Sequence, residues 1–339
     1  MIITKTPFRM SFFGGGTDMP QYFQRPGKRG AVISSSFDKY VYVTVRHLPR
    51  FFNHTTELFY SKIEKVSKID DIEHPMVRNA IKMLEMKELH ISYDADLPAR
   101  TGLGTSSTFA VGLLNAFYCL KGKYASKQQL AKDAIFLERE LCQEAGGWQD
   151  QIAASYGGLN RIDFDESGFR VTPIIISNAR KQQLEGNLLL FFTGFTRFSA
   201  EIQKSTTATL EEKDKQFEMM LELVDKAQGI LQNKEADLDD FGRLLDQTWK
   251  LKRQTGKEIT TNTIDSLYQQ GIEAGALGGK LLGAGGGGFL LFYVPKKKQA
   301  SVRKAFKDLL EVPFRFEKQG TRVIYYTPEE FDVESSKEE

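Results

Sequence analysis

Pro98-Ala-Arg-Thr-Gly-Leu-Gly-Thr-Ser-Ser107 is the stretch around which the chain is organised. A strand-like run, Leu89 to Tyr93, leads into it, and a helix-like run, Thr105 to Leu120, leaves it. Gly102 and Gly104 permit backbone dihedrals that a Cβ forbids, so successive amides can converge on one anion. A helix opening directly behind them adds unpaired N–H groups and the positive end of its dipole. The hydroxyls of Thr105, Ser106 and Ser107 can cap that helix or reach a metal-bound phosphate. Taken alone, the stretch fits either a helix N-cap after a glycine turn or a phosphate cradle. It is not a Walker loop, because no Gly-Lys-Ser/Thr closes it, and it is not a strict GxGxxG.

Outward from this unit, helices and strands alternate in both directions, which predicts a mixed α and β class. Residues 1–13 read as an extended arm broken by Pro7, followed by a loop at Gly14-Gly-Gly-Thr-Asp18. Ala31 to Ser36 and Tyr40 to Arg46 read as two strands, and Glu73 to Lys87 as a helix with Ile81 and Leu84 in the core. Ser126-Lys-Gln-Gln129 has the form of a capping box, and Leu130, Ala134, Leu137 and Leu141 share the helix face behind it. A polar segment at 177–187 marks the expected domain boundary, dividing the chain into 1–183 and 184–339. Beyond it come an apolar strand, Leu188 to Thr193, and a long polar helical stretch from Ser199 to about Asn233. Helices follow at Leu238 to Arg253 and Asn262 to Ala274, then a strand, glycine loop and strand over Gly279 to Tyr293. Lys297 to Leu310 reads as a helix, and Pro313–Glu317 and Val323–Tyr326 as final strands.

The 339 residues suit two domains, and 41% hydrophobic with 27% charged residues is ordinary for a globular protein. A net charge of +2, with no array of interleaved basic and aromatic residues, argues against a nucleic-acid partner. No run approaches the length of a membrane span, and the first residues lack a basic region followed by an apolar one, so a cytoplasmic protein without a membrane partner is expected. Cys119 and Cys142 sit in helix-like runs, as structural cysteines in a reducing compartment would.

Four stretches call for a joint explanation. These are Arg9 with Gly14 to Asp18, the central stretch, Glu138 followed by Gly146-Gly-Trp-Gln-Asp-Gln151, and Gly283 to Gly288. Consecutive glycines between two apolar strands carry an entropic cost. Either two backbones cross there in contact, or the loop approaches a ligand.

The set resembles the GHMP-type small-molecule kinases, the superfamily of galactokinase, homoserine kinase, mevalonate kinase and phosphomevalonate kinase. Its three motifs occur here in order and the likeness spans nearly the whole chain. Arg9 with Gly14–Asp18 matches the first, in its GGGTD form. Pro98 to Ser107 matches the second, with Thr105 in place of the usual first Ser. Lys280-Leu-Leu-Gly-Ala-Gly-Gly-Gly-Gly288 matches the third. The forms Gln149-Asp-Gln151, Gly157-Gly-Leu-Asn160 and Trp249-Lys-Leu-Lys-Arg253 are similar to its sugar-phosphate branch, which includes heptose 7-phosphate kinases. Fucokinases are close neighbours.

The resemblance implies an α+β protein of two domains. The N-terminal one is like domain 2 of ribosomal protein S5, with a left-handed βαβ crossover, the C-terminal one is ferredoxin-like, and the active site lies between them. It implies ATP-dependent phosphorylation of the anomeric hydroxyl of a sugar or sugar phosphate, with ATP and Mg²⁺ as cofactors and room for a homodimer. Pro98, Gly102, Leu103, Gly104, Thr105, Ser106 and Ser107 would hold ATP, and Ser106 and Glu138 would meet Mg²⁺. Asp150 would be the general base, and Arg9 would neutralise charge or steady Asp150. Gly15, Gly16, Thr17, Asp18, Gly285, Gly286 and Gly287 would face the substrate. Each has a plainer role open to it: Glu138 as a surface acid paired with a base, Asp150 and Asp18 as caps or turn residues, Arg9 as half of a structural ion pair. Lys28, Arg29, Lys252 and Arg253 are candidates for a second phosphate on the acceptor. A kinase of unphosphorylated sugars and a non-catalytic sugar sensor are the competing functions.

Overall fold

The computed structural model describes residues 1–99, 101–194, 213–256, 259–283 and 285–328. The strands are β1 (Ile2–Phe13), β2 (Gly30–His47), β3 (Thr56–Phe59), β4 (Ile63–Val66), β5 (Leu89–Ala95), β6 (Leu159–Asp165), β7 (Gly168–Pro173), β8 (Leu188–Phe192), β9 (Gly278–Leu281), β10 (Phe289–Tyr293), β11 (Leu310–Glu311) and β12 (Arg322–Tyr326). The helices are α1 (Pro20–Phe23), α2 (Pro75–Met83), α3 (Thr105–Leu120), α4 (Lys127–Phe136), α5 (Gln149–Tyr156), α6 (Asn178–Gly186), α7 (Asp214–Gln232), α8 (Asp239–Arg253), α9 (Asn262–Glu273) and α10 (Gln299–Ala305).

They form two sheets. The larger runs β12-β1-β2-β5-β3-β4, with β6 and β7 added beside β2; the smaller is β11-β8-β10-β9. The two strands expected at 31–36 and 40–46 are one 18-residue strand. Its register against β1 jumps from Pro7↔Tyr40 to Phe8↔Phe37, leaving Asp38 and Lys39 as a bulge. Pro7 therefore sits at an irregularity, where a strand tolerates a missing N–H. Beyond the bend, the outer edge of β2 passes from β5 to β6.

α3 is apolar on nearly all sides because it is covered on all sides, by β1 and β2 beneath and by α4 and α5 above. Burial all round replaces the single apolar stripe of a surface helix. The small sheet is likewise buried on both faces, which is why β8 and β10 read as unbroken apolar runs. Alternate residues divide between two clusters. Leu188, Leu190, Phe289 and Leu291 join the main core; Leu189, Phe191, Leu290 and Phe292 pack with Trp249, Tyr268 and Phe306.

Ser126 caps α4 by accepting from Gln129 N–H, but the Gln129 side chain donates to Asp133, so the capping box is only half formed. The helix expected at 297–310 ends at Ala305, because Leu310 and Glu311 pair with β8. The segment 313–317 forms a single bridge, Phe316 to Phe37, instead of a strand. β12 returns to the larger sheet against β1, so the last strand sits with the first half of the chain. The expected boundary at residue 183 falls inside α6. Of the helical stretch expected from Ser199, residues 199–212 lie outside the described residues. Cys119 and Cys142 are partly buried against the core. Among the described residues no helix is long and apolar enough to cross a membrane.

The glycine run between β9 and β10 is a backbone crossing. A Cβ on Gly283 would lie 2.3 Å from Gly102 Cα, and one on Gly288 would lie 2.2 Å from the Thr101 carbonyl oxygen. Gly283 also has φ +82°. Gly283→Ala is therefore expected to lower unfolding free energy by more than about 2 kcal/mol. Gly27→Ala, with φ +71° but nothing within 4 Å, is expected to lose about 1 kcal/mol. Denaturant titration of the two variants reads the difference, and equal losses would show that the crossing carries no strain.

Candidate active site

α3 starts at an N-cap glycine, Gly104, and no side chain caps it. Its first helical bond runs from Thr108 N–H to the Gly104 carbonyl at 2.8 Å. The amides of Thr105 to Ser107 thus stay outside the ladder, as at any helix start. They border a cavity of about 1000 Å³ lined by Gly102, Gly104, Thr105, Ser106 and Ser107. The Thr105 hydroxyl is buried there without a partner. Such an uncapped, electropositive rim suits a phosphate.

Arg9 comes up from β1 beside this rim and is 3% exposed. Its Nε donates to Asp150 Oδ1 and its Nη2 to Asp150 Oδ2, each at 2.7 Å, while Nη1 donates to the Gly102 carbonyl at 2.9 Å. The guanidinium therefore ties the first turn of α5 to the glycine loop in a bidentate, charge-assisted geometry. Gly104 lies against the same carboxylate; a Cβ there would be 3.1 Å from Asp150 Oδ2.

Asp18 secures the approach to Asp150. Its Oδ1 accepts from Gly16 N–H at 2.8 Å, its Oδ2 from Gln149 N–H at 3.4 Å, and its carbonyl from Trp148 N–H at 3.1 Å. The carboxylate occupies the space where a Gly147 Cβ would stand, 1.9 Å away, so this position must be glycine. Burial, with the negative charge of Asp150 adding to it, raises the pKa of Asp18.

Glu138 lies on a π-helical turn, Leu137–Leu141, that continues α4. The wider turn aims it inward, a common use of such a turn at functional sites. It is 1% exposed, so it is not a surface acid. Ser107 Oγ donates to Glu138 Oε2 at 2.7 Å, and Gln151 Nε2 donates to the same oxygen. Ser106 instead bonds Glu144, a residue the motif reading did not single out. Burial raises the pKa of both acids. A divalent cation would relieve that, and Mg²⁺ held by one or two carboxylates plus phosphate oxygens needs no larger cluster. Among the described residues there is no group of three or more His, Cys, Asp or Glu that could hold a metal.

An aromatic wall was missed because its residues are distant in sequence, whereas Lys252 is one of the cations proposed for a second phosphate and Lys280 belongs to the third glycine motif. Tyr60, His74, Tyr93 and Phe109 form an aromatic wall of the cavity, with Tyr60 and Tyr93 stacked at 5.9 Å and Phe109 tilted against Tyr93 at 4.1 Å. Lys252 and Lys280 bring ammonium groups to the wall from α8 and β9. Desolvation pulls Lys252 down to about 8, with Arg9 adding to the effect and Asp18 and Asp150 opposing it. The other proposed cations lie elsewhere: Lys28 pairs with Asp214 and Glu218, Arg29 with Asp225, Arg253 with Asp265.

Gly15, Gly16 and Asp18 line the cavity, but Thr17 does not. Its hydroxyl donates to the carbonyl of Gly14 at 2.8 Å, and it is wholly buried. Leu103 is core, and Pro98 accepts a turn hydrogen bond from Thr101. Gly285, Gly286 and Gly287 are not among the lining residues; Gly286 N–H donates to the Ile259 carbonyl at 3.2 Å, so this part of the loop serves packing.

The Lys252 ammonium holds its proton less tightly in the folded chain than when unfolded, where 10.5 is ordinary. Between about pH 8 and 10.5 the unfolded state therefore binds more protons, and this residue makes stability rise with pH. Wild type is expected to gain stability relative to Lys252→Met between pH 8 and pH 10 in denaturant titrations. A flat difference over that interval would mean that the ammonium is well solvated.

The GHMP kinases N terminal domain matches residues 75–158 and the GHMP kinases C terminal domain residues 227–312, between them just over half of the chain. The chain is 29% identical to the D-glycero-alpha-D-manno-heptose 7-phosphate kinase of Campylobacter jejuni, an alignment covering 95% of this chain and 98% of that protein. It is 28% identical to the bifunctional fucokinase/GDP-fucose pyrophosphorylase of Arabidopsis thaliana, over 66% of this chain and 21% of that longer protein. Among solved structures, a D-glycero-D-manno-heptose 1-phosphate kinase from Bacteroides thetaiotaomicron has the same fold, with a TM-score of 0.76 at 23% identity over 96% of this chain and 100% of that one. Both the β5–α3 unit at the rim and the β9–β10 crossing that closes on it fall within these matches, and the chain belongs to the GHMP kinase family.

Proposed function

We propose that this chain transfers the γ-phosphoryl group of ATP to the anomeric C1 hydroxyl of D-glycero-D-manno-heptose 7-phosphate, giving the 1,7-bisphosphate for synthesis of a nucleotide-activated heptose in the cytoplasm. The observation that carries it is the Arg9–Asp150 pair, bonded to Gly102 and touching Gly104, which sets a carboxylate against the phosphate rim. The near full-length likeness to the Campylobacter jejuni kinase supports the choice of acceptor.

In this mechanism the amides at the start of α3, with the Thr105 hydroxyl, bind the ATP phosphates. The aromatic wall takes the base, whose flat face suits stacking. Ser106 and Glu138, with Glu144 nearby, would hold Mg²⁺, which would supply positive charge to offset that of the phosphates. Asp150 accepts the proton of the C1 hydroxyl as that oxygen attacks phosphorus and ADP departs. Arg9 holds the carboxylate in place and offsets the charge of the transferring group. Little else is required, because phosphoryl transfer is mostly positioning and charge neutralisation. Residues 1–183 supply the nucleotide side, and 184–339 supply Lys252 and Lys280. Asp18, Gly15 and Gly16 border the sugar. The fucokinase likeness favours a second reading, transfer to an unphosphorylated sugar by the same residues.

A coupled ADP-release assay with ATP, Mg²⁺ and a panel of heptose 7-phosphate, mannose, fucose, galactose and mevalonate separates the two; turnover confined to free sugars would overturn the proposed acceptor. Asp150→Asn is expected to lower kcat by about 10²–10⁴, and normal turnover would remove it as the base. Glu138→Gln is expected to raise the Mg²⁺ concentration for half-maximal rate roughly tenfold or more, and an unchanged requirement would exclude it from the metal site.

A further inference from the structure

Two ammonium groups stand on the cavity wall, contributed by α8 and β9, and the transfer step needs neither. Lys252 Nζ donates to the Gly283 carbonyl at 2.5 Å, and Lys280 Nζ to the Phe12 carbonyl at 3.1 Å. Lys280 is 1% exposed, and Lys252 is partly buried. Among the described residues neither has a carboxylate at salt-bridge distance. An ammonium has three donors, and among the described residues each of these two meets one neutral acceptor. A buried cation matched this poorly is costly unless an anion comes to it.

The local charges favour an anion. Asp150, which also acts on Lys252, is largely offset by Arg9 in the bidentate pair, so among the described residues Asp18 is the acid without a cationic partner near the two lysines. Uncharged partners are waiting as well. Ser11 Oγ is buried without a hydrogen bond, and it and the Gln149 Nε2 amide flank Gly15, where both can donate to a phosphate oxygen. Ser11 immediately precedes the Phe12 carbonyl that Lys280 holds. The phosphate rim meets Asp150 through Gly104, whereas Asp18 acts on both lysines, and on Lys252 more strongly than Asp150 does. Asp18 also holds the Gly16 amide of the loop that borders the cavity, which favours the acceptor side of the transfer point for the two lysines.

We infer that Lys252 and Lys280, with Ser11 and Gln149, form a subsite for a phosphate group that the acceptor already carries, separate from the phosphoryl group being transferred. This rests on the sugar-phosphate reading above. It also gives a reason for lysines at these positions, since a fixed main-chain carbonyl could be satisfied by a neutral donor.

The test compares wild type, Lys252→Met and Lys280→Met with heptose 7-phosphate and with D-mannose as acceptors, alongside calorimetric binding of heptose 7-phosphate without nucleotide. Replacing a charge-assisted contact should raise KM and Kd for heptose 7-phosphate roughly ten- to hundredfold. KM for ATP, and any kcat/KM for mannose, should stay within about twofold. Melting curves check the fold; an apolar side chain of similar length should keep it. Lys252→Met is the more tolerant variant, being partly exposed. A parallel rise in KM for ATP would assign the lysines to the nucleotide phosphates and overturn the inference. So would an equal loss with both acceptors, which would make them transfer-site residues, or unchanged KM and Kd. If wild type uses only free sugars, the proposed acceptor falls and this inference with it. If wild type requires the 7-phosphate and the variants keep that preference, only this inference falls.

Discussion

The bidentate pair between Arg9 and Asp150 holds the site together. It joins the first strand of the larger sheet to the helix that follows Gly146-Gly147, and through Nη1 it fixes the loop that opens α3. Three segments distant in sequence are thereby referred to one planar guanidinium, whose donors have a fixed fork geometry. Exposed ion pairs contribute little. This one is shielded, with Arg9 nearly inaccessible and the Asp150 side chain 24% exposed toward the cavity. Its value is orientation as well as energy: a carboxylate held by both oxygens cannot rotate away from the rim.

Around this pair the cavity has two electrostatic ends. On the α3 side, uncapped amides face two acids whose pKa values burial raises, Glu138 and Glu144, so the surroundings suit an anion and a cation arriving together. On the α8 and β9 side, two lysines of depressed pKa stand near Asp18, with Asp150 also acting on Lys252. Desolvation explains both patterns, since it penalises whichever form is charged. Each end is only partly satisfied by the described residues, with the Thr105 and Ser11 hydroxyls left unpaired, as a binding cavity allows and a structural network of polar side chains does not.

The glycines divide into those that leave room for another chain segment and those that border the cavity. Gly102 and Gly283 meet across the junction of the two sheets, and Gly147 yields its Cβ volume to Asp18. Backbone contact of this kind lets a short loop from the smaller sheet lie directly on the rim. Gly15 instead opens onto the cavity, while Gly16 borders the cavity and also leaves room for the Phe217 ring, 2.9 Å from where its Cβ would stand.

Local chemistry made much of this legible from the amino-acid order. α3 was read with its observed ends, because a glycine turn, a hydroxyl cluster and a continuous apolar run are all short-range signals. The strands around the last glycine loop were legible for the same reason, and the motif residues Arg9, Ser106, Ser107, Glu138 and Asp150 line one cavity. Contacts between distant segments were not legible. No pattern distinguishes Lys252, which reaches the cavity, from Arg253, which turns to Asp265, because one residue's rotation about a helix separates them. Nor could composition assign Gly285 to Gly287 to packing, place β12 beside β1, or gather Tyr60, His74, Tyr93 and Phe109 onto one wall. Sequence carries the backbone's local preferences and the kinds of chemistry available; which side chains share a space depends on how sheets and helices close on one another, and that is set by burial over the whole chain.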